Sequence, residues 1–71
     1  MEYTVIYERG PASWGAYLPD LPGCVAVGKT KSIVQKRIRK AVEMHLDAMR
    51  RDGDSIPEPT SEAEKLTIAG G

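Results

Sequence analysis

The stretch Tyr17-Leu18-Pro19-Asp20-Leu21-Pro22-Gly23-Cys24 decides the fold, because it joins two β-like segments just ahead of the only long helical pattern. Pro19 and Pro22 each fix φ and remove a backbone donor, Asp20 carries an acceptor suited to a local turn, and Gly23 takes positive φ where the chain reverses. The reading is a rigid hairpin connection that leaves Leu21 exposed. Upstream, Tyr3 to Glu8 alternates Tyr3, Val5 and Tyr7 against Thr4, Ile6 and Glu8, in aromatic and β-branched residues that suit a pleated surface. After the Gly10-Pro11 break, Trp14 to Leu18 places Trp14, Ala16 and Leu18 on one side and Tyr17 on the other. Cys24 to Val27 is a short apolar run bounded by Gly28, read as a third strand that completes an antiparallel meander.

Downstream, Thr30 or Ser32 offers an N-cap, and Ser32 with Gln35 has capping-box spacing. The helix is expected to run to about Arg51, with Val34, Ile38, Ala41, Val42, His45 and Met49 on one stripe facing the sheet. Arg50 and Arg51 complement the negative end of its dipole, whereas Lys29 and Lys31 oppose the positive end, and Gly53 is placed to stop it in a left-handed conformation. Two prolines make Ser55 to Ser61 an extended surface crossing, and Lys65 to Ala69 supplies a last strand, parallel to an earlier one as a helical crossover favours. The expected fold class is α+β with element order βββαβ, one domain over residues 1–69 and a flexible end at 70–71.

Seventy-one residues make a small core that offsets chain entropy only narrowly, which favours homo-oligomer formation or a partner. The single cysteine, Cys24, allows no internal disulfide, and the acidic N-terminus with no long apolar run points to neither export nor membrane insertion, so a cytoplasmic location is expected. Net charge is formally zero, yet residues 29–51 hold eight Lys/Arg against Glu43 and Asp47, a local surplus of six positive charges balanced by six negative ones elsewhere. Such segregation suits a charge-complementary partner, an acidic arm lying on a basic helix, or two solvated surfaces.

Taken in order, Tyr3-Thr4-Val5-Ile6-Tyr7, the Pro19-Asp20-Leu21-Pro22-Gly23-Cys24 run, Gly28-Lys29-Thr30 and the helix exit Asp52-Gly53 before Ile56-Pro57-Glu58-Pro59 resemble the HicB family of antitoxins over nearly the whole chain. The resemblance implies a partial RNase H-like fold, with the last strand parallel to the first, and neutralisation of a small RNA-cleaving HicA-like toxin protein. Many family members continue into a DNA-binding domain; this sequence stops after the expected last strand, which argues against direct operator binding. The basic helix start Lys31-Ser32-Ile33 departs from the acids common there in the family.

Chemistry is weighed on the same residues. A two-metal nuclease needs several converging carboxylates, which the first strand lacks, and a lone His45 has no nucleophile or metal partner in sequence. Neither a catalytic site, a metal site nor a cofactor is therefore expected, and the protein is read as a non-enzymatic binding module. The expected toxin contacts are Tyr17, Asp20 and Leu21, with Leu21 preferred, and the carboxylates of Asp52, Asp54 and Glu58, which would speed association with a basic toxin. Two alternatives stay open: nucleic-acid binding through Lys36, Arg37, Arg39 and Lys40, and an orphan homo-oligomeric domain with no toxin.

Overall fold

A computed structural model describes residues 1–70. Strand β1 spans Ile6–Arg9, β2 Trp14–Tyr17 and β3 Val25–Gly28, and helix α1 spans Lys31–Asp52. The strands form one antiparallel sheet in the order β1-β2-β3, with Ile6 opposite Tyr17 and Tyr17 opposite Val25. This is the α+β class and the meander read from the alternation, with shorter strands. Tyr3 to Val5 lie outside β1 because, in this register, they would face Leu18 to Asp20, where Pro19 has no amide to give and the chain already turns away.

Two consecutive turns build that connection. Leu21 N–H donates to Leu18 O, and Cys24 N–H donates to Leu21 O, each at 3.2 Å. Each turn has proline at its second position, and Gly23 at the third position of the second turn has φ 87°, the type II requirement. Coiling the backbone twice carries Leu21 inward rather than outward. Its side chain is 1% exposed and packs with Ala16, Leu18, Cys24, Val34 and Ile38 in the core, so the expectation of an exposed Leu21 is corrected. Burying such a side chain is worth about 1.5–3 kcal/mol, a large share of what a domain this small has to spare. Cys24 shares that burial, which raises its thiol pKa by desolvation and keeps it unreactive.

The helix begins one residue after Thr30, whose hydroxyl accepts from Ile33 N–H at 3.2 Å; Ser32 lies inside the helix and is not the cap. At the other end Gly53, at φ 74°, donates to Arg50 O and Asp54 donates to Met49 O, a Schellman closure that the sequence anticipates. The buried stripe is Val34 and Ile38, extended by half-buried Ala41, Val42 and Leu46, and it rests chiefly on β2 and β3. No acid sits in the first turn to complement the dipole. Lys31 instead places its ammonium 5.2 Å from the Tyr7 ring centroid and 5.9 Å from that of Trp14, a compensation by the aromatic faces.

The expected fourth strand at Lys65 to Ala69 is not formed, and no strand follows the helix among the described residues. The post-helix segment crosses extended, as its prolines require, and then leaves the sheet without pairing. Of the expected flexible end, Gly70 lies in a turn and Gly71 lies outside the described residues.

The end of β3 approaches the helix so closely that a Cβ on Gly28 would sit 2.8 Å from Ile33 Cγ2 and 3.2 Å from Val34 Cγ2. Gly28→Ala is expected to lower stability by about 1–3 kcal/mol through this overpacking, read as a lower urea midpoint with unchanged m-value.

Candidate functional site

Alternation along three strands decides what the outer face of the sheet offers. Helix α1 covers the face that carries Ala16, so residues of opposite parity point away from it. Ile6, Tyr17 and Val25 align across the three strands, with Val27 in the next row opposite Gly15. Tyr17 is 40% exposed, Val25 64% and Val27 66%. Together they form an apolar strip with a phenol at its centre, the kind of surface in which an aromatic anchor does most of the binding. Tyr17 is thus exposed on the face away from the core, the side on which the alternation put it. Val25 and Val27 were legible only as a short apolar run, and the missing signal was that Cys24 and Ala26 alone face inward.

Asp20, also expected at a partner contact, is occupied. Its carboxylate accepts from Thr60 N–H at 3.0 Å and Ser61 N–H at 3.0 Å, and from the Thr60 and Ser61 hydroxyls at 3.1 and 2.9 Å. These bonds favour the charged form, the Ser61 amide first among them, and hold its pKa below the ordinary aspartate value despite partial desolvation. Thr4 Oγ1 donates to Ser61 O at 2.7 Å and the Tyr3 hydroxyl donates to Pro57 O, so the same segment is fastened to the start of the chain. Asp20 is a clasp, and its neighbour Leu21 is a core residue. Asp52, Asp54 and Glu58 are exposed, but the structure does not bring them against Tyr17 by any hydrogen bond.

The basic helix residues divide as well. Arg37 Nη1 donates to Val27 O at 2.8 Å and so ties helix to sheet, whereas Lys36, Arg39 and Lys40 are exposed. His45 is half-buried, and among the described residues no group of three or more His, Cys, Asp or Glu side chains is assembled that could hold a metal ion. Among those residues no helix is long and apolar enough to cross a membrane.

Residues 3–68 match the family model described as the HicB-like antitoxin of bacterial toxin–antitoxin systems. The chain belongs to that family. A UPF0150 protein of Thermoplasma acidophilum is 30% identical over 69 residues, covering 96% of this chain and 97% of its own length. An uncharacterized protein from the rep-hol intergenic region of Haemophilus phage HP1 is 28% identical over 58 residues, 82% of this chain but 44% of the phage protein. The match takes in the clasp at both ends, since Asp20 and the Thr60-Ser61 pair all fall within the HicB-like region.

The sign of the Asp20 shift sets a pH dependence. A carboxyl with a depressed folded pKa contributes stability that is complete above its unfolded pKa and is lost as pH falls through the folded one. The segment around Thr60 should therefore stay fastened through the ordinary aspartate range and release only at still lower pH. Asp20→Asn should release it at neutral pH, seen by NMR as lost amide-exchange protection at Thr60 and Ser61 while protection in α1 persists.

Proposed function

We propose that this protein is a non-enzymatic antitoxin that neutralises a HicA-type, mRNA-cleaving toxin by direct protein–protein contact. Membership of an antitoxin family supplies the role, and the observation that carries the mode of action is the exposed strip of Tyr17, Val25 and Val27 on the sheet face away from the helix. An exposed apolar strip on a flat sheet face is suited to a protein contact rather than to a catalytic cleft. Tyr17 acts as the anchor. Asp52, Asp54 and Glu58 steer a cationic, RNA-binding toxin toward the complex and cover part of the surface that RNA would otherwise meet. Asp20 and Leu21 contribute indirectly, by fixing the turn that follows β2. Inhibition is steric and electrostatic, in the cytoplasm, and self-association of the antitoxin accompanies it.

Co-expression with the product of the adjacent gene tests the reading: cells survive, and the two chains co-elute in size exclusion. A toxin that stays fully active with no complex formed would overturn it. Binding of RNA or DNA by the protein alone, with a steep salt dependence abolished by Lys36→Ala plus Lys40→Ala, would favour the basic helix face instead.

Within the complex, Tyr17→Ala should weaken toxin binding by about 2 kcal/mol, roughly 30-fold in Kd by calorimetry, mainly through faster dissociation. Charge reversal at Asp52, Asp54 and Glu58 should mainly slow association, and added salt should erase the difference.

A further inference from the structure

The post-helix arm is longer than its own fold can use. A chain of this length packed to normal density has a radius of gyration of about 11 Å, and this one measures 14.1 Å with extents of 50 × 26 × 16 Å. Part of that length is helix α1, and beyond Ser61 every residue from Glu62 to Gly70 is exposed. Leu66 is 77% exposed and Ile68 64%. These two are spaced to share one face of an extended strand, and Glu64 falls on the same face. The clasp at Asp20 fixes where this arm departs from the body of the domain.

A matching vacancy exists elsewhere on the molecule. Because α1 rests on β2 and β3, the inner side of β1 is only half covered, and an open groove of about 690 Å³ runs between Tyr3, Val5 and Tyr7 on one side and Ile38 and Val42 on the other. Lys36, Arg39 and Glu43 stand at its helix wall. Among the described residues none beyond Glu43 lines it, so the chain's own arm does not fill it. Beside this groove, among the described residues β1 pairs only with β2 and leaves its other edge open to a further strand.

We propose that the groove receives the Glu62–Ala69 arm of a second copy, exchanged reciprocally, with the incoming strand on the free edge of β1. Leu66 and Ile68 then cover Val5, Ile38 and Val42, while Glu64, and Glu62 two residues before it, meet Lys36 and Arg39. Charge complementarity and shared apolar spacing select a second copy as occupant. The fourth strand that the sequence suggests is thereby supplied between chains. The inference deepens the self-association named above and does not rest on toxin binding, because it concerns the protein alone.

Sedimentation equilibrium of the full chain should show a dimer, and the double variant Leu66→Asp plus Ile68→Asp should raise its dissociation constant by about 100-fold or more with helical circular dichroism unchanged. In dimers mixed from carbon-labelled and unlabelled chains, filtered NMR should give contacts between Leu66 or Ile68 methyls of one copy and Val5, Ile38 or Val42 of the other. A monomer at high micromolar concentration, a dimer indifferent to the double variant, or contacts confined within one chain would each overturn the proposal. Failure of these measurements leaves the toxin reading standing, and loss of toxin inhibition with the exchanged dimer intact would have the reverse meaning.

Discussion

The carboxylate of Asp20 is the constraint on which the placement of the chain after the helix depends. The turn around it is closed by two backbone bonds, and through it a segment forty residues later, with no regular hydrogen bonding of its own, gains four hydrogen bonds to one carboxylate. An irregular segment must satisfy its amides somewhere, and here Thr60 and Ser61 do so on a single charged acceptor. Adjacent positions of the turn therefore divide the labour. Leu21 closes the core from one side, and Asp20 holds the returning chain from the other.

What could be read in advance follows from the range of the interactions involved. The strands and the helix declare themselves locally, in the alternation of Tyr3 to Glu8, in the stripe from Val34 to Val42 and in the stop at Gly53. Tyr17 could be placed by parity alone. Leu21 could not, because proline-rich turns ordinarily lie at the surface and only the double coiling of this one drives the leucine inward. The partner of Asp20 lies far away in sequence, and nothing near Thr60 or Ser61 announces that both will meet it. In Cys24 to Val27 every residue is apolar, so composition conceals an inside and an outside that only the register separates. The last strand shows the same limit from the other direction: its spacing is local, but a strand needs an edge to pair with.

Charge segregation along the sequence resolves into several distinct tasks. Arg37 holds a carbonyl of β3, Lys31 lies against two aromatic rings, and Arg50 pairs with Asp47 three residues earlier on the helix at 3.3 Å. Exposed pairs of this last kind contribute little to stability. The carboxylates after the helix, Asp54, Glu58, Glu62 and Glu64, are exposed, where they act at a distance on whatever approaches.

Gly28 carries a consequence that reaches beyond packing. By allowing the helix to lie directly on the end of β3, it brings the start of α1 against the sheet, so that Arg37 reaches Val27 O and Lys36, Arg39 and Lys40 stay exposed on the helix while Tyr17, Val25 and Val27 are exposed on the far face of the sheet. The molecule thus carries two unlike exposed surfaces, an apolar strip on the sheet and a row of cations on the helix. The two surfaces lie on opposite sides of the sheet layer and share no residue.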